Sequence, residues 1–178
     1  ITTIKGKEKF INYIKICGGI LGKLEQKLEE LKINEDIPIK AISLFSGMGG
    51  DSLGIINAGL ELVAYSEWEE DMRRTHELNF PNTKLIGNGN ILETTDDEFL
   101  EYKGLVDLIF AGFPCQGFSH AGNKLPDDPR NTLFREFIRS AKLIKPKYII
   151  GENVKGLTSR KTATGEKYID VIKSEFDK

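Results

Sequence analysis

Three side chains in this 178-residue chain carry the chemistry of a group-transfer site. Cys115 stands in the loop Gly112-Phe113-Pro114-Cys115-Gln116-Gly117-Phe118-Ser119. A cysteine is most often a small buried apolar residue, but one flanked by glycine and proline in a loop can act as a nucleophile once it reaches the thiolate form. Glu152 stands in Gly151-Glu152-Asn153-Val154. It is either a solvated loop carboxylate or, if its pKa is raised, a group that gives and takes a proton. Glu67 follows Gly47 by twenty residues, the distance at which an acidic side chain at a strand end can accept from both hydroxyls of a ribose.

Gly47 belongs to the loop Phe45-Ser46-Gly47-Met48-Gly49-Gly50. Glycines there permit positive φ and let a ligand approach the backbone at the positive end of the next helix. The strict dinucleotide fingerprint fails, since Ser52 stands where its third glycine belongs and Gly54 comes two residues late. A phosphate-binding P-loop fails too, for want of Gly-Lys-Ser/Thr. The loop alone is compatible with a tight turn or a nucleoside site. Trp68, beside Glu67, is either core filling or a flat face for an adenine.

These residues need a scaffold, and the pattern supplies one. Strand-like runs at Ile39–Phe45, Glu61–Tyr65, Lys84–Ile86, Leu105–Phe110 and Tyr148–Ile150 alternate with helix-like runs at Asp51–Ala58, Trp68–Asn79, Thr132–Ile144 and Thr164–Phe176. Thr94 or Thr95 caps a further short acidic helix, with Asp97 or Glu98 in its first turn. Repeated β-then-α units predict a parallel sheet wrapped by helices, with ligands beyond the carboxyl ends of the strands. The loops after Phe45, Tyr65, Ile86, Phe110 and Ile150 therefore line one edge. Residues 1–38 differ: Leu21, Leu24, Leu28 and Leu31 form one apolar stripe on a helix, laid against the following domain or serving as a short zipper, and Asn34 to Pro38 is a linker.

Composition narrows the class. Apolar residues make 39% and charged residues 29%, which suits a globular chain and excludes wholesale disorder. No apolar run reaches the roughly 18 residues of a membrane span. Cys17 and Cys115 with two histidines offer no metal-ligand spacing, so no metal is expected, and a reducing cytoplasm is the expected location. The net charge of −2 is unevenly spread. Residues 1–114 hold 12 Lys/Arg against 19 Asp/Glu, a net of −7, while residues 115–167 hold 11 against 5, a net of +6. A basic stretch of that size is either a solvated surface or a face for phosphates.

Taken in order, Phe45-Ser46-Gly47-Met48-Gly49-Gly50, Glu67-Trp68, Pro114-Cys115-Gln116 and Glu152-Asn153-Val154 resemble the motifs of the cytosine-5 DNA methyltransferases, over residues 39–178. Amino-methylating enzymes are a poor match, because their Asp/Asn-Pro-Pro-aromatic tetrapeptide is absent. The resemblance implies an α/β, Rossmann-like S-adenosylmethionine methyltransferase fold, a mostly parallel sheet with helices on both faces. It implies an extension at 1–38 and a partial catalytic domain at 39–178, ending before the last strands and the target-recognition domain. Cys115 matches the nucleophile that adds to C6 of a flipped-out cytosine, and Glu152 the carboxyl at N3 and the exocyclic amine. Phe45, Gly47, Met48, Gly49 and Gly50 match the cofactor loop, Glu67 the ribose ligand and Trp68 an adenine neighbour. Asn90 and Ile91 match the loop at the adenine amine, and Pro114 and Leu133 the pocket walls. Gln116, Ser119 and Arg130 match the loop that closes over DNA, in keeping with the basic block.

Two positions depart from the usual pattern: Ser43 stands where many members carry Asp, and Asn90 where an Asp commonly contacts the adenine. The substrate implied is double-stranded DNA, in a restriction–modification system, with a complementary subunit as one source of the remaining motifs. A cytosine-5 methyltransferase acting on tRNA shares these motifs, a regulatory subunit would need neither Cys115 nor Glu152, and a dehydrogenase would bind a nicotinamide. The chain on its own is expected to bind cofactor weakly and not to methylate DNA.

Overall fold

The computed structural model describes residues 38–114, 133–159, 161–162 and 165–176. The leucine stripe of the N-terminal region, Cys115, Gln116, Ser119 and Arg130 lie outside the described residues. Five strands form one parallel sheet: β1 Lys40–Leu44, β2 Glu61–Ser66, β3 Lys84–Leu85, β4 Leu108–Ala111 and β5 Tyr148–Gly151, in the order β3-β2-β1-β4-β5. Helices α1 Gly50–Asn57, α2 Glu70–Asn79, α3 Asp96–Leu100, α4 Phe134–Ile144 and α5 Tyr168–Phe176 connect or follow them. The strand order reverses between β1 and β4, which opens the crevice where such sheets bind ligands.

β1 is the central strand, and its sequence explains why. Ala41, Ile42, Ser43 and Leu44 are all fully buried, as a strand covered on both faces requires. On one face Ile42, Leu44 and Ile109 meet Phe99, Phe134, Phe137 and Ile172 from α3, α4 and α5. On the other, Ala41, Leu62, Leu108 and Phe110 meet Ile55 and Ala58 of α1. The strands alternate their side chains between these two layers with period two.

The sheet and helices appear in the order the sequence predicts, with shifted ends. The helix expected from Trp68 starts at Glu70, because the Glu67 carboxylate captures the Glu69 N–H at 2.9 Å and keeps Trp68 and Glu69 out of the helix. The strand expected from Leu105 starts at Leu108. The chain first turns at Gly104 (φ +76°), where Leu105 N–H donates to the Tyr102 carbonyl and its side chain stays exposed. Thr95, rather than Thr94, caps α3 in a capping box with Glu98. A 3₁₀ turn, Lys155–Thr158, was not signalled by any periodicity. Among the described residues no helix is long and apolar enough to cross a membrane, and no three His, Cys, Asp or Glu converge as a metal site.

Candidate active site

The glycine loop leaves β1 through a run of left-handed residues, Phe45 (φ +58°), Gly47 (φ +56°) and Gly49 (φ +97°). An aromatic residue in that region is strained, at a cost of about 1–3 kcal/mol that the surrounding bonds must hold. They are present: Ser46 N–H donates to the Ser66 carbonyl at 3.0 Å and Gly49 N–H to the Ser46 carbonyl at 2.9 Å. Gly49 admits no side chain, since a Cβ there would drive into the Phe80 ring and against His76. At Gly47 and Gly50 a Cβ would meet open space, so these two line an accessible edge. Among the described residues Ser46 Oγ is buried without a partner, an orphaned polar atom inside the loop.

Glu67 closes the neighbouring edge. Its Oε2 accepts from Gly47 N–H at 2.8 Å and its Oε1 from Glu69 N–H at 2.9 Å, so the carboxylate is locked between the β1 and β2 loops. Each oxygen keeps a further lone pair, enough for two ribose hydroxyls. Trp68 is 65% exposed, which removes core filling as its role and leaves the indole face available. Met48 is exposed on the same loop. Behind Glu67, Gly89 presses so closely on the Glu67 carbonyl that a Cβ could not fit, bringing the loop after β3 against the loop after β2. In that loop Asn90 Oδ1 accepts from Leu92 N–H at 3.2 Å and its amide donates to Glu93 at 2.7 Å, while Ile91 is buried.

On the far side of the switch point, β4 and β5 end side by side, with Ala111 paired to Gly151. Glu152 N–H donates to the Ala111 carbonyl at 2.9 Å, and Asn153 Nδ2 to the Phe113 carbonyl at 3.0 Å. The exposed Glu152 carboxylate lies 3.7 Å from where a Gly112 Cβ would stand, so that glycine gives the acid room beside the β4 tip. Pro114, the residue before Cys115, and Leu133, just before α4, are half-buried, Leu133 against the core. The structure thus brings together the glycine loop and Glu67, and separately Pro114 and Glu152 at adjacent strand tips.

A profile of the C-5 cytosine-specific DNA methylase family matches residues 39–178. The chain belongs to that family. Members of this methylase family take their methyl group from S-adenosylmethionine. The dehydrogenase reading falls with this assignment. Among curated relatives, a Type II methyltransferase of Escherichia coli, M.Eco47II, is 40% identical over 130 residues, covering 72% of this chain and 30% of its own length. The fold is shared with a crystal structure described as a DNA modification methyltransferase encoded within an E. coli prophage. It gives a TM-score of 0.60 at 31% identity, covering 78% of this chain and 37% of that one. A mutant of Spodoptera frugiperda DNMT2 gives 0.58 at 30% identity, covering 78% and 40%. The chain spans about a third of the length of the curated relatives it matches. The methyl donor fits the residues present: a glycine edge open to a ligand, an orphaned Ser46 hydroxyl and a locked carboxylate suit a nucleoside bearing an amino acid.

Two groups of this methylase chain escaped the sequence reading. Arg139 of α4 reaches back to the loop after β3, donating through Nη2 to the carbonyls of Ile91 (3.2 Å) and Thr94 (2.8 Å). It also binds Asp96 and Glu136 and lies over the Phe99 ring at 4.9 Å. The second group sits under the glycine loop. Burial pushes the Asp51 carboxyl up to about 6 and holds the His76 imidazole down at about 4. A lone His or Asp in a helix carries no periodic signal. Only the folded contacts expose these groups.

Proposed function

We propose that this chain is the cofactor-binding and nucleophile-bearing part of a DNA cytosine-5 methyltransferase of a restriction–modification system. Cys115 attacks C6 of a cytosine swung out of the duplex, an extrusion that costs about a few kcal/mol. The electron pair of the C5–C6 bond moves toward C5 as sulfur bonds, and Glu152 stabilises the charge that develops at N3. S-adenosylmethionine supplies the electrophilic methyl group that such a C5 accepts. Removal of the C5 proton by a base then restores the double bond and expels the Cys115 thiolate. Glu67, Trp68, Asn90 and Ile91 hold the adenosine part of the cofactor, and Phe45, Met48 and Gly47–Gly50 its methionine side, with Pro114 and Leu133 as walls. Gln116, Ser119 and Arg130 meet the DNA. Target recognition, from elsewhere in the same polypeptide or from a complementary subunit, belongs to the same proposal, as does a reducing cytoplasm that keeps Cys115 a thiol.

One observation carries most weight. The β4 and β5 tips are tied by two hydrogen bonds, Glu152 N–H to Ala111 and Asn153 to Phe113, so the exposed Glu152 and Pro114, the residue before Cys115, stand at adjacent strand tips. The test is covalent trapping. The full gene product is incubated with S-adenosylmethionine and duplex DNA containing 5-fluorocytosine, whose C5 fluorine blocks the elimination step. A complex surviving denaturing electrophoresis is expected with the parent and lost in Cys115→Ser, with cofactor binding retained. Trapping on 5-fluorocytidine tRNA instead of DNA would move the substrate to RNA. Unchanged methyl transfer by Cys115→Ser would sink the covalent mechanism.

A further inference from the structure

Beneath the glycine loop runs a buried polar chain that joins three elements. One carboxylate oxygen of Asp51, in the first turn of α1, accepts from the Ser43 hydroxyl of β1. The other accepts the Ser52 N–H at 2.7 Å and the Ser52 hydroxyl at 3.4 Å. Ser52 Oγ in turn meets His76 Nε2 of α2 at 2.9 Å. His76 is fully buried, stacked on Tyr65 with ring centroids 3.7 Å apart and packed on Phe80 at 4.8 Å.

The orphan atom of this chain fixes its direction. Among the described residues His76 Nδ1 has no partner. A buried N–H without an acceptor is rarer in native structures than an under-satisfied acceptor, so the imidazole proton belongs on Nε2. Nε2–H then donates to Ser52 Oγ, and the Ser52 hydroxyl donates to Asp51. Every donor converges on one carboxylate. Among the described residues no Lys or Arg pairs with it. A buried carboxylate without a cation costs stability and is held by hydrogen bonds alone. Those bonds reach β1 and, through Ser52 and His76, α2. His76 and Phe80 also form the wall that Gly49 presses against.

We infer that Asp51 is a positioning residue for S-adenosylmethionine binding, fixing the Gly47–Gly50 backbone to β1 and α2 through Ser43, Ser52 and His76. The inference rests on the cofactor reading of that loop. Asp51 acts through the backbone, so its effect precedes any ligand.

Two readouts test it. Both are made on the full gene product: amide hydrogen exchange of Gly49 and Ser52 without ligand, and S-adenosylmethionine binding by titration calorimetry. Asp51→Asn keeps the shape but turns an acceptor toward donors into a donor, and should speed exchange and weaken binding by about tenfold each. Asp51→Ser should do the same. Combining it with Ser43→Asp restores one carboxylate and one hydroxyl across the same gap, and should recover both readouts. Parent-like exchange and binding in Asp51→Asn would overturn the inference. So would a folded double variant that recovers neither readout. If the parent itself binds no S-adenosylmethionine, the cofactor reading fails, and with it the binding half of this inference, while exchange still decides whether Asp51 orders the loop. Should Asp51→Asn and Asp51→Ser both fail to fold, Ser43→Ala removes a single donor and should speed exchange by about fivefold; an unchanged rate there would overturn the inference.

Discussion

Burial shifts Asp51 and His76 in opposite directions, and their contributions to acid stability oppose each other. His76 is held at about 4 in the fold against 6.5 when free, because burial penalises its charged form. The unfolded chain therefore binds more protons as pH falls from 6.5, and stability is lost down through pH 4. Asp51 behaves oppositely. Its carboxyl is raised from 3.8 to about 6 by burial, so the folded chain takes up the extra proton and stability is gained as pH falls from 6 towards 3.8. Between pH 7 and 5 the His76 loss is about 2 kcal/mol and the Asp51 gain about 1 kcal/mol. The pair thus flattens its own acid profile. Asp51→Asn should remove the gain and leave the loss, so its stability should fall more steeply than that of the parent. Urea midpoints at pH 7 and pH 5 would show this. Parallel declines in parent and variant would mean that the two groups do not oppose each other.

At the scale of elements, the loops that carry the site are held from behind, and Arg139 is the clearest case. From α4 it satisfies the carbonyls of Ile91 and Thr94, binds Asp96 at the start of α3, and covers Phe99. One planar side chain with five donors does this; an ammonium cannot. Arg139→Met should leave two carbonyls unpaired and cost about 2–3 kcal/mol, and Arg139→Lys should recover little of it. Chemical denaturation gives the value, and full rescue by lysine would show that charge alone matters. This network also marks what sequence can and cannot convey. The order of elements was legible because each buried strand is a short apolar run punctuated by glycine, proline or a capping residue. The closeness of Glu67 to the glycine loop was legible through its spacing from Gly47, and a 2.8 Å bond joins the two. The start of α2 was not, since the same Glu67 unwinds it by capturing Glu69 N–H. Neither was Arg139, which reaches Ile91 across 48 positions, nor the Ser43–Asp51–Ser52–His76 chain, whose Ser52–His76 link spans 24, since both contacts form only after folding.

Over the whole molecule, charge and topology divide the labour. The strand order places β1, β2 and β3 on one side of the switch point and β5 on the other side of β4. Residues 1–114, which carry the glycine loop and Glu67, have a net charge of −7, suited to a cofactor bearing a sulfonium and an ammonium. Residues 115–167 have a net charge of +6 and follow β4 in sequence, and under the proposed function they are the part that meets DNA. The two binding events should therefore respond differently to salt. Neutralising phosphates releases counterions, so log K for DNA falls with log salt at a slope of about −0.9 per phosphate contacted. Cofactor binding releases no such atmosphere and should stay nearly flat between 50 and 200 mM (roughly the range over which DNA affinity collapses). Arg130→Ala should weaken DNA binding by a similar factor for any sequence and make the slope shallower by about one, with S-adenosylmethionine affinity unchanged. Fluorescence anisotropy of labelled duplex against salt, with calorimetry of the cofactor alongside, measures both in the full gene product. A slope unchanged by Arg130→Ala would take that residue off the phosphate backbone, and a parent slope near zero would make the basic block a solvated surface rather than a DNA face.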